Sequence, residues 1–242
     1  MYDELIYSVP QYNIETYEKQ FYGFYALKYF LDRFYGDELD DQIMLYVDQG
    51  QRPHLFGAEF NITLVRAVTE LAKIEKDLYF CIGTVGYEHS YLDFDLRLQY
   101  ISAVPALWIN VKIQSLLNKT DQLPHAIDVV DFFLSLPKKP QVIVNARDEL
   151  QAYWIFDKPF IIHNDADRDI ISKMSQNFQQ KIINEGLKHG FHIEDTSSIA
   201  TMQRLPGTMN WKLDRPEIIL QYELERNWNN EWTYTCRNSD VY

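Results

Sequence analysis

The sequence predicts one α/β domain, and three observations support this prediction. The chain has 242 residues, which is within the range of a single large α/β domain. Hydrophobic residues make up 46% of it and charged residues 24%, as in globular proteins and unlike disordered ones. Segments with helical and with strand periodicity alternate, and no repeat, low-complexity tract or linker separates them. We therefore expect one interleaved domain over residues 1–242.

Composition restricts the compartment and the class of function. The chain lacks the run of about 18 apolar residues that a membrane span needs, and its acidic beginning is unlike a signal peptide. We therefore expect a cytoplasmic protein without a membrane partner. The two cysteines, Cys81 and Cys236, form neither a disulfide framework nor a metal-ligand set, which fits a reducing compartment. The net charge of −12 opposes loose binding to a polyanion, so a nucleic-acid-binding role needs a local basic patch.

The acidity is concentrated at the beginning of the chain. Residues 1–60 hold eleven acidic and four basic residues, a charge of −7, and nine of the seventeen tyrosines. Five tyrosines recur at every fifth residue from Tyr2 to Tyr22, a period of neither helix nor strand, so chance and a partner-binding aromatic surface both stay open. The domain thus divides into an acidic, Tyr-rich part (1–60), a core (61–224) and a polar tail (225–242).

The elements of the first part of the chain follow from residue spacing. Apolar residues three and four apart predict helices, short bounded apolar runs predict strands, and polar stretches without a period predict loops. The expected order is a helix over Glu15–Phe34 ended near Gly36, a strand over Gln42–Val47, a helix over Ile62–Ile74, a strand over Leu78–Gly83 and a loop over Gly86–Gln99.

The segment Ala106–Ile113 is the clearest strand of the sequence. Its apolar residues Leu107, Ile109, Val111 and Ile113 share one face, and Trp108, Asn110 and Lys112 share the other. The remaining predictions are a helix over Leu123–Leu136 stopped by Pro137, strands over Gln141–Asn145 and Leu150–Phe156 joined by a four-residue turn, a turn over Arg204–Thr208 and a strand over Ile218–Leu224.

A long helix is predicted over Ala166–Leu187. Asn164 is its expected N-cap, with Asp167 three residues later, and Gly190 its expected stop. The predicted core stripe consists of Ile171, Met174, Phe178, Ile182 and Leu187.

Three segments, in this order along the chain, carry a resemblance to a known family. They are the strand Ala106–Ile113, the stretch Pro140–Trp154 with its Ala-Tyr-Trp ending, and Asp195 followed by Arg204-Leu-Pro-Gly-Thr-Met-Asn-Trp-Lys212. The order and spacing of these segments resemble those of the motifs in the archaeo-eukaryotic primase superfamily, specifically in the primase-polymerases of phages, plasmids and other mobile elements. The resemblance covers about Phe24–Leu224. It implies a primase-polymerase-like α+β fold, with mixed sheets flanked by helices in one compact domain, and a role in DNA replication.

The resemblance also assigns the positions of catalysis. In that family the first strand carries acids at i and i+2, which hold divalent metal for in-line phosphoryl transfer. Here the two positions are Asn110 and Lys112, a neutral amide and a cation. The second motif, Ser-Gly-x-Gly-x-His, has Gln151 at the His position and loses both glycines. We therefore interpret the chain as resembling an inactivated enzyme, for which no cofactor is expected.

The third motif is kept. Asp195 stands at its acidic position, and the resemblance makes Arg204, Asn210 and Lys212 the candidate contacts to a nucleotide or nucleic acid. We hypothesise that Lys112 pairs with Asp195 and neutralises the pocket where an active enzyme would hold a metal.

Two alternatives stay open. The chain could be a working primase or polymerase with a relocated Mg²⁺ or Mn²⁺ site on Asp195 with Asp93 or Asp95. It could instead be an acidic interaction module or inhibitor that binds no nucleic acid and uses Asp37, Glu38, Asp40 and Asp41. The partners expected from the first interpretation are single-stranded DNA or a nucleotide, or a replication protein such as a helicase or an active primase.

Overall fold

The computed structural model describes residues 27–36, 41–47, 54–57, 76–86, 97–114, 123–212, 217–227 and 229–236. The predicted helix over Ile62–Ile74 lies outside these ranges, as does the part of the first predicted helix that precedes residue 27. Asp93 and Asp95, the candidate relocated metal ligands, also lie outside them. In the described part of the chain, no helix is both long and apolar enough to cross a membrane.

The described residues form four helices and twelve strands. The helices are α1 (27–35), α2 (Arg97–Tyr100), α3 (Ala126–Ser135) and α4 (Asp165–Lys188). The strands are β1 (Gln42–Val47), β2 (His54–Gly57), β3 (Leu78–Cys81), β4 (Thr84–Val85), β5 (Ile101–Lys112), β6 (Val142–Asn145), β7 (Glu149–Ile161), β8 (Met202–Arg204), β9 (Met209–Asn210), β10 (Glu217–Ile218), β11 (Leu220–Arg226) and β12 (Trp232–Cys236).

One ten-stranded sheet organises the fold. Its strand order is β12-β11-β6-β7-β5-β4-β1-β3-β8, with β2 paired to β1, and β9 and β10 form a separate two-stranded ribbon. The described strand pairs are antiparallel. The predicted α/β class, with helices flanking a sheet, is confirmed.

The sheet has a hydrophobic core on each face. On one face, helix α1 packs Phe30 and Phe34 against Phe80 and Tyr153, with ring centroids 5.2 to 5.9 Å apart. On the other, helices α3 and α4 cover the apolar residues of β5 and β7, and Trp154 lies 4.8 Å from Phe178. Because both faces are covered, a polar side chain pointing from the central strands needs a partner within the protein.

Strand β5 confirms the predicted alternation. Ile109 and Val111 lie in the core beneath α3 and α4, whereas Trp108 lies in the core beneath α1. The strand begins earlier than predicted, at Ile101, because the register shift between Val104 and Ala106 accommodates Pro105, which has no N–H to donate.

Other predicted elements agree in place and type. The strand over Gln42–Val47 is confirmed residue for residue as β1, and α3, β6, β7 and β11 match their predictions with bounds shifted by a few residues. One prediction was wrong in part: helix α2 occupies the end of the stretch Gly86–Gln99 that was expected to be a loop. The polar tail contains β12, which pairs with β11.

Helix α4 has the predicted ends but not the predicted buried face. The Asn164 side chain accepts a hydrogen bond from the Asp167 N–H, and Gly190 follows the helix with φ +78°. Met174 and Leu187, expected in the core, are exposed. The buried stripe instead holds Ile171, Ser175, Gln179, Ile182 and Gly186.

Gln179 explains why the polar stripe of α4 is buried. Its Nε2 donates to the Trp108 carbonyl of β5 at 3.0 Å, and its Oε1 accepts from the Thr196 N–H at 2.9 Å. These bonds satisfy the amide, so burying it costs little. An apolar periodicity cannot reveal such a contact.

Candidate functional site

The pairing of β5 with β7 brings three predicted positions together. Asn110 lies opposite Gln151, and Lys112 lies opposite Glu149. These residues are on the α1 face of the sheet, because Trp108, two residues before Asn110, packs in the core on that side. The antiparallel register therefore assembles one polar site from two strands that are distant in sequence.

The side chains of this site form a continuous hydrogen-bond network. Lys112 Nζ lies 3.1 Å from Glu149 Oε2, and Gln151 Nε2 donates to Glu149 Oε1 at 2.7 Å. The Tyr153 hydroxyl donates to Gln151 Oε1 at 3.1 Å. Each oxygen of the Glu149 carboxylate and each polar atom of the Gln151 amide thus has a partner within the site. We call Lys112, Glu149, Gln151 and Tyr153 the lysine network.

Electrostatics keep Lys112 and Tyr153 each in one protonation state. Partial burial lowers the pKa of Lys112. The negative charges of Glu149, Asp148 and Glu194 raise it by more, so the pKa of Lys112 lies above its usual value. Burial, with a further contribution from Glu149, raises the pKa of Tyr153 well above its usual value. At neutral pH Lys112 is therefore a cation and Tyr153 a neutral donor.

The predicted ion pair between Lys112 and Asp195 was wrong. Lys112 pairs with Glu149, its direct cross-strand neighbour. Asp195 is exposed, and its Oδ1 accepts the Ser197 N–H at 2.9 Å. Its loop is held beside β5 by Thr196, whose carbonyl accepts from Trp108 Nε1 at 3.0 Å.

The third motif is anchored by an acid that the sequence analysis missed, Asp77. Arg204 is only 5% exposed, and its Nη1 lies 3.0 Å from Asp77 Oδ2. Asp77 is 2% exposed, and it accepts hydrogen bonds from the Trp211 N–H at 2.7 Å and the Tyr79 hydroxyl at 3.2 Å. Lys212 Nζ donates to the Tyr79 hydroxyl at 3.0 Å. The sequence signal for Asp77 was weak, since one acid before a buried strand is a common feature.

Asn210 also bonds within the protein. It is fully buried, and its Nδ2 donates to the Ala146 carbonyl at 2.7 Å. Its Oδ1 accepts the Lys212 N–H at 3.1 Å. The segment 209–212 is thereby attached to the turn between β6 and β7. Of the three predicted contacts to nucleic acid, Lys212 is exposed, whereas Arg204 and Asn210 are buried, and each of the three contributes to holding this segment in place.

The turn between β6 and β7 contains a backbone outlier. Arg147 has φ +79°, a left-handed conformation that glycine adopts without strain. The Ala146 N–H donates to the Glu149 carbonyl at 3.0 Å, and the Arg147 N–H donates to Asn145 Oδ1 at 2.9 Å. A non-glycine residue therefore holds a glycine-type backbone in this turn.

Among the acids of the acidic-module alternative, Asp41 is within the described residues. Its Oδ2 accepts the hydroxyls of Thr84 and Ser102, each at 2.8 Å. Asp41 thus joins the start of β1 to β4 and β5. Asp37, Glu38 and Asp40 lie outside the described ranges.

The residues at the two positions that the resemblance assigns to metal ligands do not fit a divalent cation. Asn110 supplies a neutral amide, whose buried Oδ1 has no hydrogen-bond partner among the described residues. Lys112 brings a positive charge, and its Nζ lies 3.1 Å from the nearest carboxylate, Glu149. In the described ranges, no group of three or more His, Cys, Asp and Glu side chains is arranged to hold a metal.

Comparison with known proteins gives similarities of structure. No protein-family model and no curated protein matches the chain. The "Cyanophage S-2L Primase-Polymerase (PrimPol), AEP domain" is 14% identical, with 82% of this chain and 88% of that chain covered and a TM-score of 0.49. The catalytic domain of primase RepB' in complex with initiator DNA is 12% identical, with 81% and 84% covered and a TM-score of 0.44. By their names both are primases or primase-polymerases, the class that the three sequence segments resemble. Such a likeness concerns the backbone and assigns no role to a side chain.

Proposed function

We propose that this protein is a non-catalytic primase-polymerase-like protein of a mobile genetic element. It acts in DNA replication or its regulation through binding, and it transfers no nucleotide. The three sequence segments support the primase-like part of the proposal. The observation that carries the loss of catalysis is the 3.1 Å contact between Lys112 Nζ and Glu149, because it places an ammonium group where the family holds a metal ion.

The chemistry of nucleotide addition explains why this contact matters. Two-metal transfer needs anionic ligands that align a 3′-hydroxyl with the triphosphate and neutralise the charge that develops. Asn110 carries no charge, and Lys112 repels a divalent cation. Glu149, which could supply a carboxylate, already accepts hydrogen bonds from Lys112 and Gln151. The described residues of this face offer a structural network in place of a metal centre.

A second candidate function is the acidic interaction module that binds a protein and no nucleic acid. The observation that favours it is the burial of Arg204, whose guanidinium pairs with Asp77 and is withdrawn from any ligand at the surface. The net charge of −12 acts in the same direction, since it repels a polyanion.

A primer-extension and de novo priming assay tests the leading proposal. The purified protein is given a single-stranded template, nucleotides and either Mg²⁺ or Mn²⁺, with the double variant Asn110→Asp, Lys112→Asp in parallel. We expect no product from the natural protein. Product from it would overturn the proposal and direct attention to Asp195 with Asp93 or Asp95; loss of that product in Asp93→Ala would then establish the relocated site.

A binding titration separates the two candidates. Fluorescence anisotropy with a labelled single-stranded oligonucleotide is measured at low salt and again at rising salt. Saturable binding that weakens with salt, and weakens further in Lys212→Ala, supports nucleic-acid binding. Absence of binding at low salt would favour the acidic module.

A further inference from the structure

The position of Glu149 raises the question of what balances its charge. Its side chain is 13% exposed on a face that α1 covers, and a carboxylate withdrawn from water is costly unless it is paired and hydrogen-bonded. Gln151 supplies one neutral donor, and Lys112 supplies the positive charge. Lys112 contacts Glu149 because the register of β5 and β7 pairs these two residues directly.

Glu149 is the carboxylate in contact with the Lys112 ammonium, at 3.1 Å. Together with Gln151 Nε2, the ammonium gives both oxygens of this carboxylate a partner. The ammonium therefore supplies the positive charge that a divalent cation would bring to a carboxylate. The charges of Asp148 and Glu194 also raise the pKa of Lys112.

We infer that the ammonium of Lys112 is a built-in substitute for a divalent cation, which completes the polar face of β5 and β7 without metal. This inference deepens the proposed function and rests on the same site. It assigns Lys112 a role beyond the loss of a metal ligand: Lys112 is the counter-ion of Glu149 and fixes this side chain, which in turn orients Gln151 and Tyr153.

The test compares thermal unfolding of variants with and without metal. The natural protein should show the same midpoint in EDTA, Mg²⁺ and Mn²⁺. Lys112→Met should lower the midpoint by at least about 2–4 °C, the shift that corresponds to one weak interaction in a domain of this size. The double variant Lys112→Met, Glu149→Gln should recover most of that loss, because it removes the uncompensated carboxylate. Added Mn²⁺ should raise the midpoint of Lys112→Met, since the ion can then approach the unpaired Glu149 carboxylate and supply the missing positive charge.

Lys188→Met is the matched control. Lys188 forms an ion pair with Glu185 at 2.6 Å, but both side chains are largely exposed. Its loss should shift the midpoint little, and Mn²⁺ should not change it. If Lys112→Met does not fold, Lys112→Arg keeps the charge and should retain the midpoint of the natural protein, whereas the double variant still reports on the pair.

Three results would overturn the inference: stabilisation of the natural protein by Mn²⁺, a Lys112→Met variant as stable as the natural protein, or a destabilised Lys112→Met that Mn²⁺ does not restore. These outcomes differ from failure of the proposed function. Primer extension by the natural protein would refute the proposed function, and the melting series would still decide whether Lys112 replaces a cation on this face.

Discussion

Replacing Asp77 with alanine tests whether the third motif is a structural element. The substitution removes the charge that lies 3.0 Å from Arg204 Nη1 and the acceptor of the Trp211 N–H at 2.7 Å. Breaking a buried ion pair costs about 3–5 kcal/mol, because it leaves the remaining charge without a partner. Both side chains of this pair are at most 6% exposed, so little discount for solvent applies. We expect Asp77→Ala to lose about 3–5 kcal/mol of unfolding free energy in a urea titration.

The double-mutant cycle with Arg204→Met supplies the control. Because the double variant buries no unpaired charge, its loss should be smaller than the sum of the two single losses by at least about 1 kcal/mol. Additive losses would refute the ion pair as the anchor. A fully stable Arg204→Met that binds single-stranded DNA more weakly would refute the structural interpretation and make Arg204 a ligand contact.

Three further predictions concern the turn, the long helix and pH. Arg147→Gly should raise the unfolding free energy by about 1 kcal/mol, because glycine adopts φ +79° without strain; no gain in a urea titration would contradict this. Gln179→Ala should cost about 2–3 kcal/mol, measured in the same way, since the Trp108 carbonyl loses its donor; an unchanged midpoint would contradict it. The stability that Lys112 adds, taken as the difference from Lys112→Met, should be constant from neutral pH to about pH 10 and vanish above the raised pKa of Lys112; loss below pH 9 would refute the pair.

Local patterns in the sequence predicted most of the fold. The alternation of Trp108 and Ile109, the cap at Asn164 and the stop at Gly190 each depend on neighbours within a few residues, and all three are confirmed. The buried face of α4 was missed because Gln179 is buried through bonds to strand β5, far away in sequence.

In the candidate site, too, the sequence predicted the positions but not the contacts between residues that are distant along the chain. The sequence identified Asn110, Lys112 and Gln151 as one site, and the register of β5 and β7 brings them together. It assigned the wrong partner to Lys112, because pairing with Glu149 depends on that register and not on any motif. Asp77 was missed for a related reason: its structural role depends on the ion pair with Arg204, which is distant along the chain.

Single-turnover nucleotide incorporation by the natural protein tests the central claim most directly. Protein in excess over a labelled primer–template is mixed with nucleotides and Mn²⁺, conditions in which even a slow transfer extends the primer. Because Lys112 stands where the resemblance implies a metal ligand, we expect an unextended primer at all times. Extension by the natural protein, absent when nucleotides or Mn²⁺ are omitted, would contradict the claim that this site has exchanged metal-dependent catalysis for an internal ion pair.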